Sequence, residues 1–535
     1  MKVDRVKSSE IPHKIIVVVV LGLTLALALS SPLTPLANAF LEETTGDSGQ
    51  DKIVREGRKE IRKGNYEKAL ALYRQVIDKN AAHVQARLGA SFAYLKMGDY
   101  LHCLEEAAEV LKLNKANARA HALAGTSLLR SGFVAAGAFQ LQQAIELDPK
   151  DALAYGGAAE VDYYEGRLKD SRVKSLYAHN LDPDEPDFII TYARASSRVE
   201  DFKEAADAYE LFLEVAPPTD TDRRDRIRGL IMFYRQLAGL QVHQISGPAS
   251  TDVPFVLGSD RRPYINLKVN GRDANFVIDT GSGFTVMSKE SAKRLGVSEV
   301  ARGGKSQGLG GDGKFSIVYG LIRQLQLGDV KIRMVPCFVR PFHGAMERPL
   351  AERADGFIGL SILSHFLTQL DYKESRMRLQ RDEHRTAQAV LVPGVTTVPF
   401  RTTQNGLISI ETKLDDNNII NAILDSGASS SVISAAAVER LKMHDLIIKG
   451  QTASVVGAAG ITENVQMLFI RNCRVADLLQ NNLRALVMDF NAINETSGFE
   501  QSGILGGDFL RNFRVTIDFG RAQLSFQPHT SPEKQ

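Results

Sequence analysis

The chain has 535 residues, 44% of them hydrophobic and 24% charged, with a formal net charge of +2. That length is too great for one core and suits about three domains, while balanced charge without a dense basic run excludes a general affinity for nucleic acid. The apolar fraction excludes a multi-span membrane protein and wholesale disorder, and three cysteines (Cys103, Cys337 and Cys473) are too few for a disulfide framework, leaving only a Cys337–Cys473 bridge open.

Residues 1–39 read as a targeting segment. Lys2, Arg5, Lys7 and Lys14 lead into residues 15–29, which carry no charge, and Ala37-Asn38-Ala39 follows. A basic start, an apolar middle and an A-x-A end make a secretory signal peptide. The rival reading is an uncleaved membrane anchor, but fifteen apolar residues fall short of the ~20 that a spanning helix needs. The expectation is export across an inner membrane, with membrane attachment only if this segment is retained.

Residues 51–218 repeat. Gly64, Gly98, Gly132 and Gly166 are evenly spaced, and Pro149, Pro183 and Pro217 keep the same step. Tyr66, Tyr100 and Phe202 occupy one position of the unit, and a small residue (Ala69, Cys103, Gly137, Ser171, Ala205) follows three places on. A step of about 34 residues with glycine in the inter-helix turn and proline after the second helix resembles the tetratricopeptide repeat. Five copies emerge, the fifth having Glu200 where glycine is expected. Cys103 reads as a packing residue, not a reactive thiol. Such a solenoid is a binding surface, so the expectation is a protein partner or substrate held in its groove, the alternative being a mere spacer. Residues 219–240 form a capping amphipathic helix, and 241–253, rich in Ser, Pro, Gly and Asp, read as a linker.

Beyond the linker the pattern alternates as strands do, and it occurs twice. A strand at 264–269, an Asn270-Gly271 turn and a second strand lead to Asp279-Thr280-Gly281. A strand at 407–414, a polar turn and another strand lead to Asp425-Ser426-Gly427. Each triplet has a later apolar–apolar–glycine, at Gly359 and Gly506, and Asp371 and Asp518 in the closing strand pairs keep the offset of those two glycines. Lobe 1 is placed at 254–380, an inter-lobe connection at 381–397, lobe 2 at 398–527 and a tail at 528–535.

This duplicated half resembles the aspartic proteases of the pepsin and retropepsin group, in single-chain form. The fold expected is therefore an all-α tetratricopeptide solenoid followed by an all-β bilobal protease. The resemblance makes Asp279 and Asp425 the catalytic pair, with Gly359 and Gly506 behind the two loops. Amide hydrolysis by carboxylates needs two around one water, one taking a proton and one giving it, and a pseudo-twofold pair of lobes brings two like loops to one point. Gly281 and Gly427 let each loop turn beneath its carboxylate, and by resemblance Thr280 and Ser426 cross-link the loops. Ser282 follows the first triplet and Ala428 the second. In that family a hydroxyl there can donate to the carboxylate and favour its charged form, so the resemblance makes Asp279 the expected ionised base and Asp425 the acid.

Glycine-rich tips at Gly310 and Gly311, and at Gly457 and Gly460, read as flaps, with Tyr319 the nearest candidate for a flap tyrosine. The first lacks the Lys-Ser/Thr of a phosphate loop. The eleven histidines show no metal spacing, so neither metal nor cofactor is expected, and His365 reads as a surface or core residue. Asp355, Asp371 and Asp518 read as structural. The function expected is an extracytoplasmic aspartic endopeptidase acting on peptide or protein, the alternative a non-catalytic scaffold with a relic protease fold. Because fusions of these two modules look bacterial, the expected compartment is a periplasm.

Overall fold

The computed structural model describes residues 49–311, 314–342, 353–381, 394–415 and 418–529. The targeting segment, most of the inter-lobe connection and most of the tail lie outside the described residues.

Among the described residues, eleven helices form the first half. They are α1 (Gly49–Arg62), α2 (Tyr66–Ile77), α3 (Val84–Met97), α4 (Tyr100–Leu113), α5 (Ala118–Arg130), α6 (Val134–Leu147), α7 (Ala152–Tyr164), α8 (Leu168–Leu181), α9 (Pro186–Arg198), α10 (Phe202–Val215) and α11 (Thr221–Leu237). Pairs α1–α2 to α9–α10 are the five repeats, and α11 follows as the cap. Gly64, Gly98, Gly132 and Gly166 all take left-handed φ at the turns, between 76° and 88°, which glycine adopts without steric cost. Glu200 adopts the same region at φ 63°. Ala69, Cys103, Ser171 and Ala205 are fully buried where paired helices approach. The solenoid curls tightly: Lys96 Nζ lies 2.5 Å from Glu185 Oε1 and 2.9 Å from Asp187 Oδ2, and Arg223 Nη1 lies 2.6 Å from Asp187 Oδ1. Ion pairs therefore cross its inner face.

The expected linker is not loose. Its residues form β1 (Gln244–Ser246) and β2 (Ser250–Pro254), which pair with strands far ahead in the chain. Short strands rich in Ser and Thr carry no apolar period, so the composition read as a linker. Lobe 1 continues with β3 (Val256–Leu257), β4 (Pro263–Val269), β5 (Arg272–Ile278), β6 (Thr285–Ser288), β7 (Ser298–Gln307), β8 (Lys314–Leu327), β9 (Val330–Arg340) and β10 (Gly356–Ile358). Six of them close into a barrel in the order β4-β5-β10-β6-β9-β8, with β8 returning to β4. β11 (Leu367–Asp371) and β12 (Arg376–Gln380) leave it for a second sheet.

Lobe 2 repeats the plan with β13 (Thr396–Pro399), β14 (Arg401–Thr402), β15 (Ile408–Leu414), β16 (Asn418–Leu424), β17 (Val432–Ser434), β18 (Ile447–Val456), β19 (Ile461–Val475), β20 (Leu478–Met488) and β21 (Gly503–Leu505). Its barrel closes as β15-β16-β21-β17-β20-β19. β22 (Phe513–Asp518) and β23 (Gln523–Pro528) complete the second sheet, ordered β13-β23-β22-β11-β12-β2. At its centre Gln369 faces Thr516, its own counterpart in the second copy, so the pseudo-twofold axis passes between them. One hydrophobic core runs through both barrels and this sheet.

The repeats are docked on both lobes, which sequence reading did not foresee. Phe233 of α11 stacks on Tyr319 of β8 with ring centroids 4.5 Å apart, and a Cβ on Gly229 would lie 2.2 Å from Gly303 O of β7. On lobe 2, Tyr163 Oη donates to Gln404 O (3.0 Å) and Asn421 Nδ2 to Gly132 O (3.1 Å). Cys337 and Cys473 are buried and free, one in each lobe. No bridge joins them, and burial pushes both thiols up to about 12. Cys103 is likewise a buried free thiol raised to about 12 by burial.

Candidate active site

Each triplet sits where a buried apolar strand ends. The Asp279 N–H donates to Ile358 O and the Asp425 N–H to Leu505 O, both at 3.0 Å, which hangs each loop from the neighbouring parallel strand. Behind the loops, a Cβ on Gly359 would lie 2.2 Å from Phe284 O, and one on Gly506 2.6 Å from Ser430 C. That crowding is why glycine follows the two apolar residues in both copies.

Thr280 and Ser426, both buried, lock the loops together reciprocally. Thr280 Oγ1 donates to Leu424 O (2.7 Å) and accepts from Ser426 N (2.9 Å). Ser426 Oγ donates to Ile278 O (2.8 Å) and accepts from Thr280 N (3.0 Å). Four hydrogen bonds thus fix two loops that come from opposite lobes.

The carboxyls of Asp279 and Asp425 share a hydrogen bond. Burial, and then the charge of Asp425, hold Asp279 well above the ordinary carboxylate range. Burial also raises Asp425, but the bond from Asp279 and two backbone donors draw it back. Those donors are Gly427 N (2.8 Å) and Ala428 N (3.0 Å), both to Oδ1. Among the described residues, the backbone donor to the Asp279 carboxyl is Gly281 N, at 2.9 Å. Hydrogen bonds to a carboxylate favour its charged form, so the negative charge of the pair rests on Asp425. This reverses the expectation drawn from Ser282, whose Oγ donates to Phe284 O at 2.8 Å. Ser282 ties its own loop and leaves the carboxyl alone.

Both aspartates line a cavity of about 850 Å³. The expected flap glycines meet at one point among its lining loops. Ala459 N donates to Leu309 O (2.9 Å) and Gly457 N to Gly460 O (2.8 Å). A Cβ on Gly310 would lie 2.2 Å from Gly460 O, and one on Gly311 2.7 Å from Ala459 O. Only glycine allows the two tips to approach this closely. Tyr319 is not at a tip: it lies in β8, fully buried against α11. The cavity's far wall belongs to the repeats, through Arg194, Arg198, Phe202, Tyr209 and Arg226. Sequence marked Phe202 only as the repeat's recurring aromatic and gave no sign of the other four in the site, because they share neither period nor motif with the triplets.

His365 belongs to a cluster that joins repeats to lobe 1. His243 Nδ1 lies 2.6 Å from Glu200 Oε1, His365 Nε2 lies 3.5 Å from the same oxygen, and the two rings are 4.6 Å apart. Among the described residues these are the three donors close enough to share an ion. Their positions are too scattered in sequence to have shown it. Burial, then the neighbouring His243, lower His365 to about 4. Asp355 accepts from Ser291 Oγ and pairs with Arg294, Asp371 pairs with Arg514, and Asp518 with Arg521, all away from the dyad.

Two like barrels that each bring an Asp-Thr/Ser-Gly loop to one shared cavity are the architecture of a bilobal aspartic protease. The family model described as aspartyl protease matches the chain twice, over residues 265–362 and 410–509, once per lobe. Among curated proteins, DNA damage-inducible protein 1 of Saccharomyces cerevisiae is 28% identical over 171 residues, 31% of this chain and 35% of that one. Its namesake from Chaetomium globosum is 25% identical over 165 residues, 31% of this chain and 34% of that one. The chain thus spans about a third of the length of these relatives. For the helical half, a thermophilic tetratricopeptide protein of Thermus thermophilus covers 35% of this chain and 98% of its own, at 20% identity and a TM-score of 0.29. The MamA protein structure covers 31% of this chain and 90% of its own, at 20% identity and a TM-score of 0.23.

Proposed function

We propose that this chain is an extracytoplasmic aspartic endopeptidase that hydrolyses peptide bonds with a water held between Asp279 and Asp425. The observation that supports this reading is the pair of carboxyls sharing one hydrogen bond in a cavity wide enough for an extended peptide. Two adjacent buried carboxyls cannot both ionise, so they hold one proton between them. Asp425, with more backbone donors, takes the proton from water as it attacks the carbonyl carbon. Asp279 gives its proton to the carbonyl oxygen. Collapse of the tetrahedral species breaks the C–N bond, the amine leaves with the proton that Asp425 received, and Asp279 regains one from the diol. Water and amide become acid and amine, with no cofactor in the balance.

In this reading the flap tips close over the substrate, and the repeats hold part of it because their helices wall the same cavity. Export rests on the basic–apolar–AxA pattern of residues 1–39, and a periplasm is the compartment that suits it. The test is digestion of an unstructured protein by the mature chain beside its Asp279→Asn variant. Cleavage by the first and not the second is expected. Equal absence of cleavage across a broad peptide library would support a scaffold instead.

A further inference from the structure

We infer that the cavity binds an acidic group of its substrate, a side-chain or terminal carboxylate of a peptide, on Arg194 and Arg226, so that the helical repeats select for substrate charge. The inference rests on the endopeptidase reading for the identity of the ligand as a peptide, and on separate observations for its charge.

Arg194 comes from α9 and Arg226 from α11, and both line the cavity that holds the dyad. Both are partly buried. Neither guanidinium has a hydrogen-bond or ion-pair partner among the described residues, whereas their neighbour Arg223 is bound to Asp187 and Asp220. A half-buried guanidinium is ordinarily paired. The charge of Glu495 reaches Arg226, and burial followed by the charges of Arg194 and Arg223 lowers Arg226 below the ordinary arginine range. Two cations that line one cavity without an ion-pair partner among the described residues form a site that a carboxylate would complete, because a planar guanidinium matches its two oxygens.

A second polar group lacks a partner at the same wall. The Tyr319 hydroxyl is buried and makes no hydrogen bond. Its ring is held by Phe233 on one side and Phe338 on another, so the hydroxyl cannot swing out to water. Among the charges that reach it is that of Arg226. Buried hydroxyls are nearly always satisfied, and a carboxylate lodged against Arg226 would supply the acceptor. Apart from the dyad, Glu200 is the acidic residue lining this cavity among the described residues, and it is engaged by His243. The wall therefore favours a substrate that is acidic at one position and discriminates against a basic one there.

The test uses the full mature chain carrying Asp279→Asn, so that bound peptide is not consumed. Fluorescein-labelled flexible octapeptides, each with a single Glu moved through successive positions, are compared with their Gln counterparts by anisotropy at low and high salt. One position is expected at which Glu binds at least about 10-fold tighter than Gln at low salt, the order of one charge-assisted pair. Arg226→Gln and Arg194→Gln should each remove most of that preference, Arg226→Lys should retain part of it, and Tyr319→Phe should reduce it a few-fold. Absence of any Glu-preferring position, or a preference that survives both Gln variants, overturns the inference. Cleavage by the wild-type dyad without charge preference would defeat this inference and leave the endopeptidase reading intact. Charge-selective binding with no cleavage of any peptide would do the reverse.

Discussion

Gly281 lies directly against the carboxyl of Asp425: a Cβ built on it would sit 2.2 Å from Asp425 Cγ. The relationship is reciprocal, since a Cβ on Gly427 would sit 2.5 Å from Asp279 Oδ1. Each triplet's glycine therefore makes room for the other triplet's aspartate. Replacing either by alanine should push the carboxyls apart and lower kcat/KM by roughly 100-fold or more, the scale of a misplaced acid–base pair. Near-normal kinetics for Gly281→Ala would show that the loops move independently.

The two aspartates should be indispensable to activity and unfavourable to stability. Asp279→Asn or Asp425→Asn should each lower kcat by roughly 100- to 10,000-fold, the range of general acid–base catalysis. Burial raises both carboxyls in the fold, and the charge of Asp425 raises Asp279 further. The folded chain thus binds protons more tightly than the unfolded one, and its stability falls as pH rises from the ordinary carboxylate range through the raised values. Removing one carboxyl should therefore raise Tm at pH 7, by about 2–4 °C for each kcal/mol relieved. A lower Tm for Asp279→Asn at neutral pH would contradict this sign.

Hydroxyls beside the triplets should not set the pH profile. Ser282 Oγ is committed to Phe284 O, and a serine placed at 428 has the matching carbonyl, that of Ser430, two places on. Ser282→Ala and Ala428→Ser should each leave both limbs of the pH–kcat/KM curve where they are. A shift of either limb by half a unit or more would return the hydroxyl to the carboxyl.

The junction cluster should be acid-sensitive. His365 is lowered from 6.5 to about 4 by burial and by His243, partly offset by Glu200. A histidine whose folded pKa is depressed favours the unfolded chain as it protonates, so stability is lost as pH falls from about 6.5 to about 4. His365→Gln should flatten the fall of Tm across that window. Parallel Tm curves for the two proteins would remove His365 from the account.

The protease lobes should not survive alone. A chain starting at Ser250 loses β1, α11 and the ring stacked on Tyr319, although sequence composition reads as a linker there. Such a truncation is expected to be aggregated or inactive on every peptide the whole chain cuts. A soluble, active fragment would show that the docking is incidental.

The features legible in the sequence were those that recur. Four evenly spaced glycines marked the repeats, and two triplets with two downstream glycines marked the site, because each must satisfy the same local geometry in every copy. Glu200 stood out as the broken glycine position, yet its use as the partner of His243 had no sequence trace. The docking of repeats on lobes was equally silent: Phe233 against Tyr319, or Tyr163 against Gln404, are ordinary residues paired once. The direction of the Ser282 hydroxyl was misjudged because two acceptors lie within its reach and sequence cannot rank them.

The pairing of Gln369 with Thr516 has a temporal meaning. These two residues sit on β11 and β22, the strands at the middle of the shared sheet, and a whole barrel's worth of chain is made between them. β22 follows β11 by an entire barrel of chain. Until it emerges, lobe 2 has no partner strand to hold it beside lobe 1. β11 therefore stays without its central partner until a whole second barrel of chain has followed it, so closure of the shared sheet waits on the completion of lobe 2.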